Sequence, residues 1–419
     1  MLEDFISLFQ TDFYMKIWRF VITTWPIWLP LFLVRLLFST WFAYKRRDWI
    51  REQGSVLLEI KLPRDIVKTP LAMELVLNGI WEDVNGTMTD VFLKGRVRDW
   101  FSLEIVSLGG QVRFFIWLLP RWKNIVESRI YAQYPGVEIF EAKDYSLDVL
   151  YNPDKINIWG ITTALVKPDA YPIKTYVDYE LDKEGREQEE TIDPMQLMLE
   201  YLGSLKPGEQ AWIQIMIQAH RKEGFVNDAR IFPKPDWREG VKKEIKKIIE
   251  EESFVKPAVD KSGISRPQTL QHLTKTQDET IKAIERNVGK LAFNSMIRII
   301  YTAPIDIFDK MKGVGLIGSM RHFASKNLNG IKPKWFSGIE YPWRDFRDIR
   351  KRRNQRTLLD AYKRRSFFNV PYKHLNGKPY VLTAEELATL FHFPGAVVTT
   401  PTLTRVPSKK AQAPANLPV

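Results

Sequence analysis

The pattern of hydrophobic and polar positions is dominated by one apolar run near the beginning of the chain. Residues 20–44 (FVITTWPIWLPLFLVRLLFSTWFAY) contain a single charged side chain, Arg35. As a helix this run would extend about 37 Å, and a hydrocarbon core is roughly 30 Å thick, so it predicts a transmembrane anchor over 17–47. Pro26 and Pro30 would kink the helix, which membrane helices tolerate. The alternatives are a re-entrant or interfacial segment, or a buried pair of helices.

Aromatic and basic residues flank the apolar run in the arrangement typical of a membrane anchor. Tryptophan and tyrosine are enriched at membrane interfaces, whereas lysine and arginine are enriched on the cytoplasmic side. The anchor residues predicted on this basis are Trp18, Trp25, Trp28, Arg35, Trp41, Tyr44, Lys45, Arg46 and Arg47. Because the bases follow the run, the rest of the chain is expected in the cytoplasm. Residues 1–16, with apolar side chains on one helical face, predict a short interfacial amphipathic helix.

The region after the anchor alternates between the periods of strands and helices. In 55–62 every second residue is apolar, which predicts a half-buried strand. Further strands are predicted at 101–108, 111–118 and 137–142, and helices are predicted to begin at Thr69-Pro70 and at Pro120. The resulting order βαββαβ over 55–150 is that of a ferredoxin-like unit.

A second α+β unit is predicted over 151–325, and its clearest strand is 210–219, where apolar residues alternate with glutamines. The other predicted elements are strands at 157–166, 174–181, 186–191 and 291–301, and helices at 193–205, 236–252, 276–290 and 305–324. Residues 253–275 are polar and broken by Pro and Gly, which predicts a mobile loop. The predicted fold class is α+β, with a transmembrane helix, two ferredoxin-like-type units and an extended C-terminal linker.

The end of the chain changes in character. Residues 326–393 are rich in aromatic and basic residues and contain a short predicted helix at 383–391. Residues 394–419 contain prolines at positions 394, 401, 407, 414 and 418. Such spacing of prolines predicts an extended linker.

The positive charge of the chain is concentrated in three patches. The 419 residues contain 62 Lys and Arg against 50 Asp and Glu, a formal charge of +12. Residues 45–51 contribute +3, residues 344–365 contribute +7 and residues 405–410 contribute +3, which leaves −1 for the remainder. Apart from these basic patches the chain is close to neutral. This excludes a protein that coats nucleic acid through a uniformly basic surface.

The patch at 344–365 is the one that suggests a binding role. Its basic candidates for binding nucleic-acid phosphates or anionic lipid are Arg350, Lys351, Arg352, Arg353 and Arg356. They are interleaved with three aromatic residues, Trp343, Phe346 and Tyr362. The alternative is a solvated helix face that pairs with nearby acids.

The chain lacks the sequence signatures of common catalytic and cofactor sites. It contains no cysteine, which excludes disulfides, thiolate metal ligands and a cysteine nucleophile. Neither Gly289-Lys290 nor Gly377-Lys378 is followed by the Ser or Thr of a P-loop, and Gly-x-Ser-x-Gly is absent. Gly313, Gly315 and Gly318 spell GxGxxG, but a helix and not a strand is predicted before them, so we expect a packing role. Neither enzyme activity nor a cofactor or metal is expected.

The sequence near the C-terminus resembles a known family. The stretches TAEELATLFHFP (383–394) and PSKKAQAPANLP (407–418) resemble the segment that precedes the motor domain in coupling-type ATPases of bacterial type IV secretion and conjugative transfer. In that family a membrane-anchored α+β region leads through such a helix and linker into a P-loop ATPase that moves DNA or protein. This chain is expected to stop where the ATPase would begin, so no nucleotide-binding residue carries over. The resemblance implies a bacterial inner-membrane protein, an ATPase encoded separately, and a homo-oligomer if the chain follows the ATPase.

The helix in this segment presents an apolar stripe that could dock on another surface. The candidate docking residues are Leu387, Leu390, Phe391, His392, Phe393 and Pro394. Docking on the chain's own domain and docking on a partner are both open at this point.

Two functional hypotheses follow from these observations. The first is a non-enzymatic component of a type IV secretion or conjugation-like machine, single-pass in the bacterial inner membrane, that positions or couples a P-loop ATPase. The second is a membrane-tethered module that binds nucleic acid, with DNA as the expected partner, through 344–365. A membrane-bound enzyme of another class is a third hypothesis, for which the sequence offers no residues.

Overall fold

The computed structural model describes residues 2–63, 68–84, 86–182, 193–222, 236–251, 274–339, 343, 345–394 and 405–406. The chain divides into two units, which we describe separately. The anchor unit comprises Met1–Glu52 and Gly86–Val97, and the body comprises Gln53–Asn85 and Arg98–Val419.

The secondary structure follows the predicted pattern over much of the chain. The helices, in chain order, are α1 Leu2–Gln53, α2 Pro70–Gly79, α3 Met88–Phe92, α4 Lys123–Gln133, α5 Pro194–Gly203, α6 Trp237–Glu251, α7 Lys275–Val288, α8 Lys310–Ser319, α9 Ile349–Lys363 and α10 Ala384–Leu390. The strands are β1 Val56–Pro63, β2 Phe101–Leu108, β3 Gln111–Leu118, β4 Glu138–Glu141, β5 Ile156–Leu165, β6 Gln210–Ala219, β7 Ala292–Pro304, β8 Ile331–Phe336, β9 Tyr380–Thr383 and β10 Arg405–Val406. The strands predicted at 55–62, 101–108, 111–118, 157–166 and 210–219 are confirmed to within one residue.

In the anchor unit, α1 is one continuous helix of 52 residues. From Phe13 to Gln53 it is long and apolar enough, by length and composition, to cross a membrane, and its apolar window is 0% buried. Pro26 and Pro30 lie inside the helix. The interfacial helix predicted over 1–16 is not a separate element, because neither proline nor glycine interrupts the chain before Pro26.

The remainder of the anchor unit packs against the C-terminal part of α1. Thr87 begins α3 with a capping box. The rings of Phe42 and Phe92 lie 5.4 Å apart. Gly95, with a φ of +74°, lies against the backbone of Lys45, where a Cβ atom would come within 2.5 Å. These contacts hold the 86–97 segment beside the basic end of the anchor.

The ten described strands form one sheet in the body. The main order is β10-β1-β3-β2-β6-β7-β5-β8, with β4 beside β1 and β9 beside β7. Every pair is antiparallel except β1 with β10. The first half therefore reads β4-β1-β3-β2 and the second half β8-β5-β7-β6. Each half places its own strands in the order fourth, first, third, second.

The two halves are joined through β2 and β6. These strands pair in register over eight residues, with Glu104 opposite Gln214 near the centre. Both strands are buried over nearly their whole length, which the edge strand of an isolated unit would not be. The two predicted units therefore share one sheet, in which β1–β4 come from the first unit and β5–β8 follow residue 150. β9 brings the 326–393 segment into the same sheet.

Helices cover both faces of this sheet. On one face α2, α4, α5, α8 and α10 contact one another and the strands. The Ser107 hydroxyl of β2 donates to the Leu202 carbonyl of α5 at 2.6 Å. On the opposite face α9 lies against β5, where Gly160 leaves room for Leu358, because a Cβ atom there would come within 2.3 Å of that side chain. The face under α9 carries the polar residues described below.

One predicted strand is wrong. Residues 174–181 form turns, in which the backbone N–H groups of Asp178 and Tyr179 donate to the Thr175 carbonyl. The Thr175 hydroxyl also donates to Glu385 of α10 at 2.7 Å, so this segment is held by local and side-chain hydrogen bonds and not by a ladder. The alternating pattern of these residues reflects packing against other elements.

Several predictions fall wholly or largely outside the described residues. The strand at 186–191 is one, and most of the loop at 253–275 is another. Within that predicted loop, Thr274 caps α7 in a capping box. Of the predicted linker 394–419, the described part includes Arg405–Val406, which pairs with β1.

Candidate functional site

The predicted anchor residues all lie on α1. The exposed ones are Trp18, Trp25, Trp28, Arg35, Trp41, Tyr44 and Arg47, and Lys45 and Arg46 are half-buried. The helical rise from Trp18 to Trp41 is about 35 Å, close to the thickness of a hydrocarbon core. The Lys45 ammonium lies 5.1 Å from the centre of the Trp41 ring. The indole and ammonium groups thus lie together at the C-terminal end of the apolar run of α1.

The basic residues that the sequence singles out lie on α9. Asp345 precedes the helix, and its carboxylate accepts the backbone N–H groups of Arg350 and Lys351, each at 2.8 Å. These bonds satisfy donors that the first turn of a helix leaves unpaired. Arg350, Arg352, Arg353 and Arg356 are exposed, and Lys351 is half-buried.

Large apolar side chains precede these arginines along the chain. Trp343 is 79% exposed, Phe346 is 74% exposed and Ile349 is 61% exposed. The Arg347 guanidinium lies 5.1 Å from the centre of the Phe346 ring. We call Trp343, Phe346, Ile349, Arg350, Lys351, Arg352, Arg353 and Arg356 the α9 basic surface. Cations and aromatic rings are both exposed in this stretch of the chain.

One residue assigned to this surface by the sequence lies elsewhere. Tyr362 is buried on the inner face of α9, and its hydroxyl lies 2.6 Å from that of Tyr145. The prediction for Tyr362 is therefore wrong. The helical period explains the difference, because Leu358, Leu359 and Tyr362 share the face that the sheet covers.

A buried ion pair lies where α9 ends. The Arg365 guanidinium donates to both Glu104 carboxylate oxygens at 2.9 Å, and both side chains are 0% exposed. Arg365 also pairs with Asp144. Burial acts to lower the pKa of Arg365, but the Glu104 carboxylate outweighs it and holds the pKa well above its usual value. The pair fixes the end of α9 to the centre of the sheet.

A second buried arginine has neutral partners. Arg298 of β7 donates to Gln214 Oε1 at 3.2 Å and to the carbonyl oxygens of Ala361 and Ser366 at 3.0 and 2.6 Å. Burial lowers its pKa to about 9. Gln214 in turn donates to Glu104 at 3.1 Å. Glu104, Gln214 and Arg298 lie in register across β2, β6 and β7, so this polar row ties the junction of the two halves to α9.

The candidate docking residues are buried inside the body. They are Leu387, Leu390, Phe391, His392, Phe393 and Pro394. The Phe393 ring lies 4.8 Å from that of Tyr134 and 5.7 Å from that of Phe114. These side chains dock on the chain's own domain. They do not form a surface for a partner, because α2, α4 and β3 already cover them.

His392 links the residues after α10 to the start of α5. Its Nε2 lies 3.0 Å from Asp193, which also accepts the Met195 N–H at the start of α5. Its Nδ1 lies 2.9 Å from the Ala388 carbonyl. Burial acts to lower the pKa of His392, but the Asp193 charge outweighs it and raises that pKa above its usual value. The histidine therefore links the end of α10 to α5.

Two further carboxylates of α10 are buried, and sequence reasoning missed them. Glu386 forms a capping box with Thr383 and accepts the Ile173 N–H at 2.9 Å. Burial raises the pKa of Glu386 to about 7. Glu385 pairs with Arg286 at 3.1 Å. A capping box beginning at Thr383 was a readable signal, but two adjacent glutamates are typical of a solvated face.

The remaining candidates are structural. A Cβ atom on Gly313 would come within 2.4 Å of Trp159, and one on Gly315 within 2.2 Å of the Tyr201 hydroxyl, so the packing role expected for the GxGxxG glycines is confirmed there. Among the described residues, no group of three or more His, Asp or Glu side chains is placed to hold a metal.

Compared with protein-family models and with curated proteins, the chain matches none. Its function is therefore inferred from its own residues. The features that bear on function are the apolar α1, the α9 basic surface and the buried segment that ends at Pro394.

Proposed function

We propose that this chain is a non-enzymatic, membrane-anchored component of a type IV secretion or conjugation-like machine. It would span the bacterial inner membrane once through α1, with the body in the cytoplasm, and would position a P-loop ATPase there. A homo-oligomer is expected if the protein follows the symmetry of the ATPase. The observation that carries the proposal is α1, whose apolar window is unburied. The resemblance over 383–394 supports the ATPase as partner.

We infer that each half of the body is a ferredoxin-like unit. The support is the strand order, fourth-first-third-second with antiparallel neighbours, in both halves. In each half a helix follows the first strand and another follows the third: α2 and α4 in the first half, α5 and α8 in the second. α6 and α7 are inserted between β6 and β7.

The segment 391–394 is held firmly enough by the body to serve as the attachment point for a partner. Phe391 and Phe393 are buried among aromatic rings, and His392 is bonded to α5. Pro394 is therefore held at a fixed point of the body. A partner attached beyond that point would be held at a defined place relative to the sheet. The docking surface for the ATPase is then expected in 395–419 and not in the buried stripe.

Co-purification tests this proposal. If the proposal holds, a P-loop ATPase is expected to be encoded beside this gene; the full chain is co-expressed with it, and the complex is isolated in mild detergent. We expect the two chains to elute together, and a variant lacking 395–419 to remain in the membrane but lose the ATPase. The control is the Lys332→Gln variant, which changes an exposed residue of β8 and should retain the ATPase. An ATPase that elutes alone beside the full chain would overturn the proposal.

The α9 basic surface favours a second candidate function, binding of nucleic acid at the membrane. Four exposed arginines follow one another along α9, and the exposed rings of Trp343 and Phe346 precede the helix in the chain. Arginines pair with phosphates, and aromatic rings stack on unpaired bases. Binding through phosphates weakens with salt in proportion to the number of phosphates contacted.

The salt dependence of DNA binding tests the second candidate. Each phosphate contact contributes roughly 0.7–0.9 to the slope of log affinity against log salt. Replacing Arg350, Lys351, Arg352 and Arg353 with Gln should therefore reduce the magnitude of that slope by about 3. Fluorescence anisotropy of labelled DNA with the full chain in detergent measures it. An unchanged slope would contradict this function.

A further inference from the structure

A cleft of about 500 Å³ opens beside the C-terminal half of α9. Its walls come from α9, from the residues before β5 and from the residues after α9. It is lined by Leu150, Tyr151, Arg356, Thr357, Leu359, Asp360, Lys363, Arg364 and Tyr372. Three of these side chains are cations, one is a carboxylate and two are tyrosines.

The charges in the cleft leave an excess of cations. Asp360 accepts from Arg364 Nε at 2.8 Å and from the Tyr372 hydroxyl at 2.6 Å, so its carboxylate is paired. Lys363 donates to the Val149 carbonyl at 2.6 Å, a neutral partner. Arg356 makes no hydrogen bond or ion pair to any residue that the structure describes. The lining residues therefore carry three cations against one carboxylate, a net charge of +2 at the cleft.

Tyr151 and Tyr372 line the cleft together with Arg356. The Tyr151 hydroxyl donates to Gln355 at 3.0 Å, and the Tyr372 hydroxyl is bonded to Asp360, so both rings are held by their polar ends. Burial raises the pKa of both tyrosines, and the Arg356 charge opposes that rise at each. Arg356 is therefore near both rings.

We propose that this cleft binds one nucleotide of a single-stranded nucleic acid. Arg356 and Lys363 would bind the phosphate, and a tyrosine ring would stack on the base. The base faces of a duplex are covered by their neighbours, so the rings select an unpaired strand. Arg352 and Arg353 continue the cations along α9 and would receive the next phosphates. The inference rests on the second candidate function and names its ligand and its central residues.

The proposal is tested with the full chain in detergent and a fluorescent oligonucleotide of roughly 15 nucleotides. Arg356→Gln should weaken binding by about tenfold, whereas Lys332→Gln, the same change of charge on exposed β8, should leave it unchanged. Tyr151→Ser should weaken binding by about fivefold or more, while Tyr151→Phe keeps the ring and should stay within about twofold, since stacking is worth roughly 1–3 kcal/mol per base. Thermal unfolding of each variant verifies the fold. The same sequence as duplex should bind more weakly.

The outcomes separate the cleft from the surface around it. Suppose that oligonucleotide binding depends on salt but the Arg356→Gln and Lys332→Gln variants bind with the same affinity. The proposed binding in the cleft is then overturned, and binding by the α9 basic surface stands. If glycerol phosphate displaces the oligonucleotide as well as a mononucleotide does, the site recognises phosphate alone, as in a lipid headgroup, and base stacking is overturned. If no oligonucleotide binds at low salt, both the cleft and the second candidate function are overturned. The ATPase proposal is unaffected by each of these results.

Discussion

Arginines lie on both sides of α9, and their environments on the two sides are opposite. On the outer side, Arg350, Arg352, Arg353 and Arg356 are exposed to solvent. Under the helix, Arg298 and Arg365 are wholly buried, one among carbonyl oxygens and the other against a carboxylate. The formal charge of the 344–365 segment therefore overstates its surface charge, because Arg365 is neutralised inside the body. The inner arginines hold the helix, and the outer ones are available to a ligand.

Removing the inner ion pair should have the largest effect. Arg365→Met leaves Glu104 buried and unpaired, and we expect a loss of about 3–5 kcal/mol in the free energy of unfolding. Chemical denaturation of the full chain in detergent measures it. The double variant Arg365→Met/Glu104→Gln should recover part of the loss, because the uncompensated charge is removed. A loss below about 1 kcal/mol would show that Glu104 and Arg365 are not buried together.

Replacing the second inner arginine, Arg298, should lower the free energy of unfolding by less than replacing Arg365. Arg298→Met leaves neutral acceptors unpaired and strands no carboxylate, so we expect a loss of about 1–3 kcal/mol. The same denaturation experiment measures it, with Arg298→Lys as the conservative comparison. A loss larger than that of Arg365→Met would reverse the ranking of the two sites.

A pH titration extends the comparison to a buried carboxylate whose hydrogen-bond donors are neutral. Glu386 has a pKa near 7 because of burial, and that of His392 is also raised. Groups whose pKa is raised in the folded state stabilise it at low pH and lose that contribution as pH rises through the folded pKa. We expect stability to increase by on the order of 1 kcal/mol from about pH 8 to about pH 6. Glu386→Gln should reduce this dependence, and an unchanged dependence would contradict the assignment to Glu386.

The outer arginines should contribute least to stability. Arg350→Gln and Arg353→Gln, singly or together, should change the free energy of unfolding by less than about 0.5 kcal/mol, because both side chains are exposed. Their effect is expected in the salt dependence of nucleic-acid binding. A loss of more than about 1 kcal/mol would show that the outer side also holds the helix.

Local patterns predicted most strands and several helix starts. β2 and β3 were predicted at 101–108 and 111–118, and α5 was predicted at 193–205, where it spans Pro194–Gly203. The basic residues of α9 were found because their chemistry is explicit in the sequence. Tyr151 and Tyr372 of the cleft were not: Tyr151 lies far from α9 in sequence, Tyr372 follows α9 outside any predicted element, and only folding brings both to the cleft. The segment 174–181 failed because its apolar residues pack without forming a strand.

The contrast between α1 and α10 shows where the sequence stops being sufficient. The sequence by itself determined that α1 is apolar over a membrane-spanning length, since hydropathy and helical rise are local quantities. It also determined the strand periods and the basic row on α9. Only the tertiary structure decided that α10, with Glu385 and Glu386, is buried, because their partners Arg286 and Ile173 are distant in sequence. The pairing of β2 with β6 was decided in the same way, since a ladder between distant strands leaves no periodic signal in either.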